Sequence, residues 1–115
     1  MNPVIEKINS FADLLENWDS YGAAEIADAA MRKAVAVVEY LDDMALDEHI
    51  TVNAFPVCTG MVQLDVDFAG TGRGVEIACD ANGAATVTYI DKDGEVVEGR
   101  HGVHCDTIER FLLGK

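Results

Sequence analysis

The chain has 115 residues, 21 acidic against 8 basic, for a formal net charge of −13. Spread along the chain rather than gathered in a tail, that charge repels DNA, RNA and anionic membranes and attracts basic proteins. Half of the residues are hydrophobic, which excludes a disordered acidic polypeptide and leaves enough aliphatic side chains for a core.

The length fits one domain, 1–115. No apolar run approaches the roughly 20 residues that a membrane-spanning helix needs. The opening Met1-Asn2-Pro3-Val4-Ile5-Glu6 has neither the basic n-region nor the apolar h-region of a signal peptide, so a cytoplasmic protein is expected. Cys58, Cys79 and Cys105 are odd in number and lack CxxC spacing. Buried free thiols are therefore expected, rather than a disulfide framework or a zinc site.

In chain order, Val4, Ile5, Ile8, Phe11, Ala12 and Leu15 recur at helical spacing, with Pro3 suited to a first turn. Asn9-Ser10 weakens the middle, so 3–15 reads as one helix or two short ones. Asn17-Trp18-Asp19-Ser20-Tyr21-Gly22 then supplies turn and capping chemistry. Trp18 and Tyr21 are expected to fold back and plug the end of the core.

The second helix is predicted over 24–44. Ile26, Ala27, Ala30, Met31, Ala34, Val37, Val38 and Leu41 make its apolar stripe, and Glu25, Asp28, Arg32, Glu39, Asp42 and Asp43 lie off it. Asp28 and Arg32 form an i,i+4 pair, whereas Asp42, Asp43, Asp47 and Glu48 load the helix C-terminus with charge that its dipole disfavours.

From Thr51 the period changes to two. Strands are predicted at 51–57, with Pro56 marking an edge or an end, and at 61–68, 73–80, 85–90 and 95–98. In the second of them Val62, Leu64, Val66 and Phe68 alternate with Gln63, Asp65 and Asp67. If the Gly70-Thr71-Gly72 turn closes with Phe68 opposite Arg73, Val66 meets Val75 and Leu64 meets Ile77. The same register sets Asp65 opposite Glu76, with Asp67 close by. At Asn82-Gly83 a two-residue turn would put Thr86 and Thr88 inside, and a three-residue loop would put Val87 and Tyr89 there; the hydrophobic pattern favours the second, with a bulge. After an irregular 100–105, Asp106-Thr107-Ile108-Glu109 has the form of a capping box for a short last helix through Leu113. The expected architecture is α+β: two N-terminal helices packed on an antiparallel meander of four or five strands, with a short C-terminal helix.

No motif here carries catalysis, and no cofactor or metal is expected. His101, His104, Cys105 and Asp106 match no standard zinc spacing, and Cys105 is too near both histidines in sequence for a nucleophile–base pair. Asp91-Lys92-Asp93-Gly94-Glu95 lacks the EF-hand spacing and reads as a hairpin turn. Gly70-Thr71-Gly72-Arg73-Gly74 joins two strands, with no helix N-terminus to receive a phosphate.

Asn17-Trp18-Asp19-Ser20-Tyr21-Gly22-Ala23 resembles a group of small bacterial and prophage-associated proteins that carry N-W-D-x-Y-G-A between two N-terminal helices, ahead of a strand-rich half. The resemblance implies no enzymatic activity and favours a mobile-element setting.

These readings lead to an expected non-catalytic binding protein whose acidic surface meets a basic protein or nucleoprotein complex. Its sharpest form is a phage or mobile-element inhibitor of the anti-CRISPR or anti-restriction type, with close-set carboxylates standing in for phosphates. The partner-binding candidates are Asp42, Asp43, Asp47 and Glu48 at the helix end, and Asp65, Asp67 and Glu76 on the sheet. The alternative is an immunity or antitoxin-type protein that neutralises a toxin through a shape-specific surface, with Trp18 and Tyr21 as hot spots. The bland readings are a solvated face, or acidity that serves solubility or high salt. Direct contact with nucleic acid or membrane is not expected, and a homodimer through an edge strand stays open.

Overall fold

The computed structural model describes residues 3–43, 50–101, 108 and 111, with the backbone alone for 42, 43 and 98–101. In chain order it has helix α1 (Pro3–Ser10), a 3-10 turn (Phe11–Asp13), helix α2 (Asp28–Asp43) and five strands: β1 (Ile50–Pro56), β2 (Val62–Phe68), β3 (Arg73–Cys79), β4 (Ala85–Ile90) and β5 (Val96–His101). The strands form one antiparallel sheet in the order β1-β2-β3-β4-β5, an α+β arrangement. No helix among the described residues is long and apolar enough to cross a membrane.

Period-two patterning divides the sheet into two chemically distinct faces. Val62, Leu64, Val66, Val75, Ile77, Cys79, Val87 and Tyr89 are buried. They join Ile8 and Phe11 from the first segment, and Ala30, Ala34, Val37, Val38 and Leu41 from α2, in one aliphatic core. Small alanines on α2 allow its axis to come close to the sheet. Ile108 completes the core. Phe111 sets its ring edge-on to Tyr89, 5.1 Å between centroids. The Arg73 guanidinium stacks over that ring and donates from Nη1 to the Phe111 carbonyl at 3.1 Å. The rest of the expected C-terminal helix lies outside the described residues.

The hairpin turns set the strand registers. Phe68 pairs with Arg73, so Val66 faces Val75 and Leu64 faces Ile77. At the β3–β4 turn, Asp80 N–H donates to the Ala84 carbonyl (2.9 Å) and Gly83 N–H to the Asp80 carbonyl (3.0 Å). Gly83, at φ +81°, supplies the left-handed bulge position that closes this three-residue loop and turns Val87 and Tyr89 inward. Asp91 and Glu95 repeat the arrangement at the next turn.

Several boundaries differ from the sequence expectation. The apolar periodicity of 24–44 runs past the real helix start: Ala24 and Ala27 give their N–H groups to the carbonyls of Cys58 (2.8 Å) and Gly60 (2.9 Å) in the β1–β2 turn. Tertiary hydrogen bonds replace a first helical turn there, and Ile26 is buried without being helical. The first segment tightens into the 3-10 turn after Ser10, whose hydroxyl donates to the Lys7 carbonyl at 2.5 Å. The last strand reaches His101, through residues expected to be irregular. Cys79 is buried as expected, but Cys58 is exposed on the turn, and Cys105 lies outside the described residues.

The clamp between the β1–β2 turn and the start of α2 depends on Gly60. Its φ is +89°, and a Cβ there would lie 2.9 Å from the Glu25 carbonyl oxygen. Gly60→Ala should therefore cost about 1–3 kcal/mol of stability, the usual cost of a strained left-handed residue. Urea denaturation would measure it, and an unchanged midpoint would show that the clamp contributes nothing.

Candidate functional site

The polar face of the sheet follows from the register that builds the core. Gln63, Asp65 and Asp67 alternate with the buried residues of β2, and Gly74, Glu76 and Ala78 lie across from them on β3. Asp65 is directly opposite Glu76, and Asp67 is opposite Gly74. Asn53 on β1 and Thr88 on β4 extend the row through Asp65 and Glu76. Asp65 and Glu76 are half-buried and Asp67 is exposed.

Gln63 Nε2 donates to Asp65 Oδ1 at 2.9 Å. The single ion pair within the 4 Å limit among the described residues is Asp28–Arg32, on the exposed side of α2. The three sheet carboxylates therefore keep their charge uncompensated by a salt bridge to any described cation. A depression of about 220 Å³ lies over them, lined among others by Asp65, Asp67, Gly74, Glu76, Ile90 and Lys92.

Gly74 is the residue that sequence reasoning overlooked. A Cβ at this position would come within 2.7 Å of Asp67 Oδ1, so the carboxylate leans into the space that the missing side chain leaves. The expected pairing of Phe68 with Arg73 already implied Asp67 opposite Gly74; the consequence for the carboxylate lay one residue further along the same ladder.

The other acidic candidates are not brought to this face by anything described. Asp42 and Asp43 are in the last turn of α2, where the backbone alone is described, and Asp47 and Glu48 lie outside the described residues. The calcium-like turn is explained locally: Asp91 Oδ1 accepts the N–H groups of Asp93 (2.9 Å) and Glu95 (3.0 Å). Asp80 Oδ1 does the same for Asn82 and Ala84. Among the described residues no group of three or more His, Cys, Asp or Glu is arranged to hold a metal ion; His104, Cys105 and Asp106 lie outside them.

Trp18 and Tyr21 behave differently from each other. Trp18 packs against the core and donates from Nε1 to the Ala24 carbonyl at 2.9 Å. Tyr21 is 93% exposed, which corrects the expectation that both rings plug the core. Asn17 Oδ1 and Asp19 Oδ1 accept the N–H groups of Gly22, Tyr21 and Ala23, and within the loop so closed the Tyr21 side chain is left in solvent.

A larger groove of about 560 Å³ runs between the 3-10 turn and α2, lined by Ala12, Met31, Val35, Tyr40 and neighbours. Its charged residues are Asp28 and Arg32, which pair with each other, and Glu39.

No protein-family model matches the chain, and neither the curated proteins nor the solved structures offer a match.

Gly74→Ala should lower stability modestly, because a Cβ there meets the Val66 carbonyl oxygen at 3.3 Å as well as Asp67 Oδ1 at 2.7 Å, and should shift the Asp67 carboxyl resonance in NMR spectra. An unmoved resonance would mean the close approach is not made in solution. Burial pushes the Cys79 thiol up from its ordinary value to about 11, assisted by Asp80 and opposed by Lys33. An unfolded thiol ionises first, so stability is expected to fall as pH rises from about 9 towards 11. In the native protein at neutral pH a thiol reagent should modify Cys58 and spare Cys79 until the chain unfolds. Equal rates at the two positions would contradict the burial of Cys79.

Proposed function

We propose that the chain is a non-catalytic binding domain whose acidic sheet face engages a basic protein or nucleoprotein complex. In its sharpest form it is an inhibitor of the anti-CRISPR or anti-restriction type that occupies a nucleic-acid-binding surface. The observation that carries this reading is the direct opposition of Asp65 and Glu76, with Asp67 leaning over Gly74 beside them. Like charges opposed across a ladder cost roughly 0.2–1 kcal/mol, a cost that threonine at either position would avoid. A cationic surface brought against the row would relieve the repulsion and gain attraction from all three carboxylates. Asp42, Asp43, Asp47 and Glu48 would add to the same negative field.

The alternative, an immunity or antitoxin-type protein, draws on exposed Tyr21 instead of the carboxylates. Salt separates the two readings, because screening weakens an electrostatic contact far more than a shape-specific one.

The test begins with the tagged chain as bait in host lysate, eluted by a salt gradient. A nucleic-acid-handling complex released at moderate salt is expected, and the variant Asp65→Lys/Asp67→Lys/Glu76→Lys should retain it at least about tenfold more weakly. Glu76→Lys alone should raise folding stability by about 0.2–1 kcal/mol, since it turns a repulsive pair into an attractive one and leaves the Gln63–Asp65 hydrogen bond in place. Undiminished retention by the triple variant would overturn the proposal.

A further inference from the structure

We infer that the loop 17–23 is a rigid mount that presents Tyr21 to an arginine of the basic partner. The inference rests on the basic-partner reading above and adds a second contact to it, away from the sheet carboxylates.

The loop is built almost entirely to hold itself. Asn17 N–H donates to the Ala23 carbonyl at 2.7 Å, closing the base, and Ser20 N–H donates to the Asn17 carbonyl at 3.0 Å. Asn17 Oδ1 accepts the Gly22 N–H at 2.7 Å. Asp19 Oδ1 accepts those of Tyr21 (2.8 Å) and Ala23 (3.1 Å). Trp18 pins the loop to the core and to Ala24, while Ala23 is buried and Ala24 is tied to Cys58.

Asn17 and Ser20 hold φ of +65° and +67°. Strain of this kind persists only where surrounding structure over-determines the backbone. Asn17, Trp18, Asp19, Gly22 and Ala23 are thus each occupied in making the loop, and Ser20 makes its turn. The Tyr21 ring, 93% exposed, has no part in it. A fixed backbone carrying an aromatic ring is an inexpensive binding element, since only two side-chain torsions remain to be ordered on contact.

Charge selects what the ring meets. Residues 8–31 contain Asp13, Glu16, Asp19, Glu25 and Asp28, and no lysine or arginine. Asp13, Glu16 and Glu25 are exposed near the loop in sequence. An anionic partner is repelled from such a surface. A cation is drawn to it, and the face of an aromatic ring attracts a cation in its own right. Arginine fits best, because its planar guanidinium stacks on the ring while its N–H groups remain free for a neighbouring carboxylate.

Nona-arginine serves as the probe, titrated at about 150 mM salt and followed by the fluorescence of Trp18, the one tryptophan of the chain. Tyr21→Ala should weaken binding about two- to fivefold, the range of an exposed cation–π contact. Tyr21→Phe should bind like the wild type, and both variants should keep the wild-type unfolding midpoint. Wild-type affinity in Tyr21→Ala, or equal losses in Tyr21→Ala and Tyr21→Phe, would overturn the inference. The sheet variant measured alongside separates the two proposals. Full binding by that variant with loss in Tyr21→Ala would sink the sheet reading and leave this one standing, and the opposite result would sink this one alone. Absence of nona-arginine binding by the wild type would overturn both.

Discussion

The pairing of β2 with β3 governs both the stability of this protein and the chemistry of its surface. One register places Val66 against Val75 and Leu64 against Ile77, all fully or almost fully buried. Each such side chain taken out of water contributes about 1.5–3 kcal/mol. Because side chains alternate strictly along a strand, the register that collects these residues on one face must set Asp65 against Glu76 on the other. A shift by one residue would remove the repulsion and expose the core. The repulsion costs at most about 1 kcal/mol, so the core decides, and the acidic row is held in place by interactions several times stronger than its own tendency to disperse.

The carboxylates of this chain divide by what they hold. Asp19, Asp80 and Asp91 each accept two backbone N–H groups and are parts of turns. Asp28 is engaged by Arg32. Asp65, Asp67 and Glu76 cap no turn and make no salt bridge to a described cation. Net charge alone treats all of these as equal; hydrogen bonding distinguishes carboxylates that fold the chain from those that face outward. Three outward-facing carboxylates, rather than the total of −13, thus set the chemistry of the sheet face.

Much of this was legible in the sequence, for identifiable reasons. Alternation in 61–68 and 73–80, together with one glycine-rich turn, was enough to derive the β2–β3 register and with it the Asp65–Glu76 pair. The bulged loop at Asn82-Gly83 followed from the need to bury Val87 and Tyr89. Elsewhere periodicity misled. Ile26 continues the apolar stripe of α2, yet the backbone around it is tied to the β1–β2 turn, a tertiary hydrogen-bond partnership that no local pattern announces. Tyr21 is a large ring in a short connection, which leads sequence reasoning to fold it back onto the core. Its exposure is set by which N–H groups Asn17 and Asp19 capture, a geometric outcome that composition does not encode.

The loop 17–23 and the sheet face share a design in which strong local interactions hold a group where it contributes little to folding. On the sheet, aliphatic burial holds like charges opposite each other. In the loop, paired capping bonds and the anchored Trp18 hold two non-glycine residues at positive φ and leave a tyrosine ring in water. The opposed carboxylates cost at most about 1 kcal/mol, and a strained positive-φ backbone about 1–3 kcal/mol. On the proposed reading, a positively charged surface would relieve the repulsion on the sheet and offer the Tyr21 ring a cation, while the backbone strain of the loop would remain as it is. Solubility accounts for dispersed acidity; it does not by itself call for carboxylates at both Asp65 and Glu76, or for an aromatic ring exposed on a strained loop, and the proposed basic partner would use both.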